Sequence, residues 1–216
     1  MFADRRDAGR QLAQRLTRYA GEDTVVLALP RGGVPVAAEV AAALGARLEV
    51  MVARKLGAPG RPELGVGAIA EGGEPLLDEQ TLAMLGLEEA DLARVIEAER
   101  AELDRRVRQY RGGRPLPDLS GRTVVLVDDG LATGVTARAA LQSLREHRPA
   151  RLVMAAPVSA PQTADRIAEE ADDVVVVATP EPFTAVGQWY RDFHQTADEE
   201  VLALLGAVAS PQDPEG

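Results

Sequence analysis

The sequence predicts an α/β fold, a single domain built on a five-stranded parallel sheet flanked by helices and interrupted once by a helical insertion. Three observations predict it. Five short apolar runs rich in β-branched residues recur along the chain, stretches of helical periodicity separate them, and 46% of the 216 residues are hydrophobic, enough for one substantial core.

Leu12, Leu16 and Tyr19 recur at helical spacing, and Gly21 is placed to end that helix. Residues 24–29, TVVLAL, are nearly continuously apolar and read as a strand buried on both faces. Arg31, Gly32 and Gly33 give a turn, residues 36–44 an Ala-rich helix and residues 48–52 a second strand, completing one strand-helix-strand unit. Residues 123–127, 152–156 and 174–177 supply three further strands, with helices over 136–146 and 163–171 between them. The rhythm breaks at residues 57–78, which are rich in Gly and Pro with a brief apolar alternation at Val66, Gly67, Ala68 and Ile69; a mobile loop or a small hairpin is expected. A long helix over 88–111 follows, with Leu92, Ile96, Leu103 and Val107 on one face and Glu102/Arg106 and Asp104/Arg108 spaced as i,i+4 pairs on the solvated side. The core then covers residues 24–178, the insertion 57–111 and a C-terminal cover 179–207, and the polar end, 210–216, is expected to fray.

Composition narrows the function. With 24 Lys and Arg against 34 Asp and Glu the net charge is −10, which repels polyphosphate backbones and argues against nucleic-acid binding, although a locally basic pocket can still take a small anion. The chain has no cysteine, so disulfides, thiolate catalysis and zinc-thiolate sites are excluded. No apolar run reaches membrane-spanning length and the N-terminus, MFADRRDAGR, lacks a signal-peptide core; a soluble cytoplasmic protein is expected, with no membrane partner. Among the basic residues only Lys55 is a lysine, which suits a site that needs a compact point charge rather than a planar fork.

The most informative segment is 124–136, VVLVDDGLATGVT. An apolar strand delivers two adjacent carboxylates, Asp128 and Asp129, to its C-terminal end, and a small-residue turn leads straight into a helix. Backbone N–H groups of residues 132–136, with the hydroxyls of Thr133 and Thr136, can surround a phosphate monoester, while the two acids accept hydrogen bonds from a vicinal diol. A phosphate next to a diol describes ribose 5-phosphate.

This segment resembles the phosphoribosyl-diphosphate signature of the type I phosphoribosyltransferases, a hydrophobic strand, two acids and a loop ending in Thr-Gly-x-Thr, here Thr133 to Thr136. Gly130 stands where that family usually has an aliphatic residue. The resemblance implies the type I phosphoribosyltransferase-like fold with a C-terminal hood, and a pyrophosphate loop after the first strand, for which Leu29, Pro30, Arg31, Gly32 and Gly33 are present. It also implies a cis peptide between Pro30 and Arg31, and a basic residue after the second strand, where Arg54 and Lys55 lie. On this reading Arg31, Lys55, Asp128 and Asp129 are catalytic, and Gly32, Gly33, Ala132, Thr133, Gly134, Val135 and Thr136 bind the diphosphate substrate. Magnesium enters with the diphosphate, bridging phosphate oxygens and keeping several waters, and no all-protein metal cage is expected.

The implied reaction moves a 5-phosphoribosyl group from phosphoribosyl diphosphate to a nitrogen acceptor, a nucleobase, with release of pyrophosphate, and so belongs to nucleotide metabolism. Ala132 stands where 6-oxopurine enzymes of the family carry an assisting acid, which leaves adenine-like and non-purine acceptors open. Phe183, Trp189, Tyr190 and Phe193 cluster after the fifth strand, and Trp189, Tyr190 and Phe183 are the candidate acceptor-binding face. The same aromatics could instead close a small core. A homodimer is compatible with the sequence. The rival function is a non-catalytic regulator that senses phosphoribosyl diphosphate or a nucleotide. Glu63 or Glu71, in the segment expected to act as a lid over the diphosphate, is a candidate proton acceptor.

Overall fold

A computed structural model describes residues 1–21 and 23–208, so the expectation for 210–216 lies outside the described residues. Five strands, β1 (Thr24–Ala28), β2 (Arg47–Val50), β6 (Thr123–Val127), β7 (Arg151–Val158) and β8 (Asp173–Ala178), form one parallel sheet in the order β2-β1-β6-β7-β8. Because a strand's side chains alternate between faces, the continuous apolar runs feed two cores at once. Val26, Ala28, Val125, Val127 and Val153 pack with Leu12 and Leu16 of α1 (Arg5–Leu16) and Val36 and Val40 of α2 (Gly33–Leu44). Val25, Leu27, Val124, Leu126 and Met154 pack on the other face with Leu141 and Leu144 of α5 (Val135–Glu146) and Ile167 of α6 (Pro161–Ile167).

The strand order reverses direction between β1 and β6, and the C-terminal ends of those two strands carry the two segments singled out in the sequence. The crevice at such a reversal is where open α/β sheets bind ligands.

The insertion is more regular than a mobile loop. Residues 53–77 form a three-stranded antiparallel sheet, β3 (Ala53–Ala58), β4 (Arg61–Ala70) and β5 (Leu76–Leu77), so the hairpin begins before residue 57 and Arg54 and Lys55 lie on its first strand. Val66 to Ala70 are buried, and β4 packs against α5, whereas the tip at residues 59–63 is exposed. A short helix, α3 (Glu79–Leu85), capped by the Asp78 side chain, precedes a turn of 3₁₀ helix and α4 (Ala93–Arg111). Glu102 pairs with Arg106 as the spacing predicts, and also with Arg105. The last helix, α7 (Asp198–Val208), packs against α2 and β2, with Val201 fully buried.

Glu71 lies in the turn after β4, at the seam between hairpin and core. It accepts from Arg111 Nη2 at 2.6 Å and from the Val52 N–H at 3.1 Å, while its backbone carbonyl accepts from Ser143 Oγ at 2.7 Å. Arg111, 2% exposed, also donates to the Val50 carbonyl at 3.1 Å, so this pair ties the end of α4 to the sheet. Burial raises the Glu71 pKa, opposed by Arg111. Its carboxylate is therefore held by structural partners on both oxygens. Arg111→Met is expected to cost about 3–5 kcal/mol in urea unfolding, because it strands a buried carboxylate. The double variant Glu71→Gln/Arg111→Met should recover most of that loss.

Candidate active site

Two turns meet at the β1/β6 reversal. The first, residues 29–32, contains a cis peptide between Pro30 and Arg31, as the resemblance implies, and runs into α2. Its glycines are demanded by contact: a Cβ on Gly32 would fall 2.0 Å from Asp129 Oδ2, and one on Gly33 would fall 2.7 Å from the Val127 carbonyl. The pyrophosphate-loop candidate therefore lies directly against the two acids, with no room for a side chain between them.

Each acid spends one oxygen on the protein. Asp128 Oδ1 accepts from the Asp129 N–H at 2.8 Å, and Asp129 Oδ2 accepts from Arg5 Nε at 2.8 Å. Among the described residues, Asp128 Oδ2 and Asp129 Oδ1 have no protein donor, which leaves one acceptor on each of two adjacent carboxylates. Burial raises the Asp128 pKa, the neighbouring Asp129 raises it further, and Lys55 and Arg5 act against both effects. Burial also raises Asp129, against the pull of Arg5.

The second turn runs from Gly130 to Gly134. Gly130, where the family usually has an aliphatic residue, is explained by Val186, whose Cγ1 would lie 2.4 Å from a Cβ at that position. Ala132 and Thr133 are exposed, and the Ala132 carbonyl accepts from Thr163 Oγ1 at 2.5 Å. Gly134 has φ of 71° and approaches Thr163 Cγ2 so closely that a Cβ would be 2.6 Å away; both its conformation and its packing exclude a side chain. It is the N-cap of α5 and supplies no side-chain cap, unlike Asp4 and Asp78 at α1 and α3. The N–H groups of Thr133, Gly134, Val135 and Thr136 find no backbone acceptor among the described residues, the state in which a helix start attracts an anion.

A cleft of about 780 Å³ opens beside these turns, lined by Pro30 and Thr136, by Lys55 and the hairpin, and by Arg94, Val95 and Arg106 of α4. Lys55 is exposed on β3, whereas Arg54 is held by Glu99 of α4 at 2.7 Å. Arg31 Nη1 lies 3.7 Å from Asp198 at the start of α7. Lys55, Thr136 and the first turn thus share one cavity, although 81 residues of sequence separate Lys55 from Thr136.

The aromatic cluster divides into two parts. Phe183 and Trp189 stack with centroids 6.3 Å apart and are half-buried, with Trp189 Nε1 buried and unpaired among the described residues. Tyr190 is buried against Phe2 and donates its hydroxyl to the Asp129 carbonyl at 2.5 Å, so it props the acid pair from behind. Arg5 was not apparent from the sequence, where it looks like one of several surface arginines near the terminus. No local pattern marks it, since its partner lies 124 residues away. Among the described residues, no group of three or more Asp, Glu or His side chains gathers to hold a metal.

The raised Asp128 pKa has a consequence for stability. Between the ordinary Asp pKa of about 3.9 and its raised value, the folded protein keeps a proton that the unfolded chain has released, so stability falls as pH rises through that window. Asp128→Asn, whose side-chain oxygen can still accept from the Asp129 N–H, removes this contribution. At pH 8 the variant is expected to melt at least about 2–4 °C above the parent, and below about pH 4 the two curves should converge.

The phosphoribosyl transferase domain matches residues 4–189. A Mycobacterium tuberculosis protein named provisionally as a phosphoribosyl transferase is 48% identical over 99% of this chain, which corresponds to 51% of that protein; the chain spans about half the length of the curated relatives it matches. The crystal structure of the Thermus thermophilus protein TT1426 superposes with a TM-score of 0.78 at 45% identity, covering 94% of this chain and 97% of that one. The Aquifex aeolicus protein AQ2163 shares the fold at 16% identity, with a TM-score of 0.52 over 85% of this chain and 78% of its own. On the strength of a domain match that takes in both turns, the acid pair and the start of the hood, this chain belongs to the phosphoribosyl transferase family.

Proposed function

We propose that the chain transfers a 5-phosphoribosyl group from phosphoribosyl diphosphate to a ring nitrogen of a nucleobase, releasing pyrophosphate. The observation that carries this reading is the pair of spare carboxylate oxygens, one on Asp128 and one on Asp129, beside the uncapped start of α5. Two acceptors suit the 2- and 3-hydroxyls of ribose. Thr133, Gly134, Val135 and Thr136, with the Ala132 end of the turn, suit its 5-phosphate.

In the transfer, the bond from C1 of the ribose to the diphosphate oxygen breaks and its electron pair leaves with pyrophosphate. The acceptor nitrogen then bonds to the oxocarbenium-like C1 and releases a proton to solvent. Lys55, Arg31 and the N–H group of Gly32 counter the charge that builds on the departing oxygen, while the Gly33 N–H is already bonded to the Leu29 carbonyl at 3.1 Å. Magnesium would be carried by the diphosphate and water rather than by a cage of side chains, and would neutralise charge on the leaving group when bound. Phe183 and Trp189 would flank the acceptor, with Tyr190 supporting the acids behind it. The exposed hairpin tip at 59–63 would fold over the cleft and keep water from C1.

Pyrophosphate release from phosphoribosyl diphosphate and magnesium, screened over purine, pyrimidine and amine acceptors, tests the reading. Tight binding with no release for any acceptor would instead make the chain a sensor. Lys55→Ala should lower turnover by about tenfold or more, as expected for a lost charged contact, and shift unfolding stability by less than about 0.5 kcal/mol, because Lys55 is exposed. Hydrogen exchange at residues 57–65 should slow when phosphoribosyl diphosphate and magnesium are added; unchanged exchange with proven binding would remove the closing tip.

A further inference from the structure

Arg5 is a buried cation that the transfer chemistry above does not use. Its side chain is only 9% exposed, and Nε donates to Asp129 Oδ2 at 2.8 Å while Nη1 donates to the His194 carbonyl at 2.6 Å. The guanidinium also lies over the Phe193 ring, 3.9 Å from its centroid, with Tyr190 at 6.0 Å. Backbone bonds anchor the segment that carries it: Phe2 N–H to the Trp189 carbonyl at 2.8 Å, Arg191 N–H to the Phe2 carbonyl at 2.9 Å, and Asp192 N–H to the Ala3 carbonyl at 3.0 Å. Asp4 then caps α1 through the Asp7 N–H, which fixes Arg5 as the first helical residue. The N-terminal residues and the hood are thus one paired unit, and Arg5 is its reach into the site.

Stability alone does not account for this arrangement. Desolvating a guanidinium and a carboxylate together roughly cancels their attraction, and an apolar pair of similar volume would hold the same elements as well or better. The geometry supplies something an apolar pair could not. Asp129 Oδ2 is held by Arg5 Nε and crowded by Gly32, where a Cβ would approach Oδ2 to 2.0 Å and Arg5 Nε to 3.3 Å. With Oδ2 fixed, the orientation of the carboxylate is fixed, and Oδ1 is left as its acceptor without a donor among the described residues.

We propose that Arg5 is a positioning residue for diol recognition: by holding Asp129 through Oδ2 it presents Oδ1 to one hydroxyl of a ribose 5-phosphate group, the other hydroxyl falling to Asp128 Oδ2. The proposal rests on the transfer reading, since both require that sugar at the acid pair. Without Arg5, the Asp129 carboxylate is free to rotate and its charge is no longer balanced against Asp128.

Calorimetric titration with ribose 5-phosphate and 2-deoxyribose 5-phosphate, on the full chain and on Arg5→Gln and Arg5→Lys, tests this directly. The parent should prefer the diol by about tenfold or more, the range of a hydrogen bond to a charged group. Arg5→Gln should lose that preference by weakening ribose 5-phosphate alone, and Arg5→Lys, which keeps the charge without the planar fork, should restore part of it. Equal weakening for both sugars would overturn the proposal, because a merely structural role predicts that result. A parent that fails to bind ribose 5-phosphate, or does not distinguish the two sugars, would overturn the transfer reading and this proposal with it. Should Arg5→Gln not fold by circular dichroism, the Arg5→Lys comparison decides alone: an unaltered sugar preference or equal weakening rejects the role, and a selective loss for ribose supports it.

Discussion

Backbone must touch backbone where β1 and β6 end, and much of the molecule follows from that contact. Gly32 lies against the Asp129 carboxylate and Gly33 against the Val127 carbonyl, so the two turns can meet only if neither position has a side chain. The parallel register Ala28 to Val127 brings the strand ends level, and the strand order reverses at that same pair. Helix α2 then starts from the first turn and α5 from the second, on opposite faces of the sheet, each with its positive end at the turn it follows.

The cost of this arrangement is electrostatic. Two adjacent carboxylates are held largely away from water in a chain that already carries a net charge of −10. An interior built for stability alone would not place them there. The molecule limits the penalty with Arg5 on one oxygen, a backbone N–H on another and Lys55 nearby, yet among the described residues it leaves one oxygen of each acid without a donor. On the proposed reading, those oxygens are where local stability is given up for recognition of the ribose.

Much of this was legible in the sequence, for physical reasons. A fully buried parallel strand must be apolar on both faces, so TVVLAL and TVVLV announce themselves, and glycines at strand ends mark the turns. The strand Ala53–Ala58 was less visible because only Leu56 and Ala58 are buried in ARKLGA, and Gly57 is needed for the close approach of Pro62 rather than for a loop. The helix Glu79–Leu85 is two turns long, too short for an apolar stripe to repeat. Arg5, Tyr190 and the Glu71–Arg111 pair were out of reach for a different reason. Their meaning lies in partners far along the chain, 189 residues away for Arg5 and His194, and a charged or aromatic residue read alone defaults to surface or core.

The wall of the cleft formed by α4 stands apart from the strand ends that carry the acid pair. Its inner face is anchored by Leu103, Tyr110 and Arg111, while Arg94 and Arg106, which line the cavity, belong to neither core. Substitutions at those two positions can therefore change the size and charge of the cavity without disturbing the strand ends. Strand ends and wall are under different constraints: the strand ends are held by close glycine contacts, and the cavity side of the wall by the Arg54–Glu99 and Arg106–Glu102 pairs, by Val95 against the core and by its own helicity.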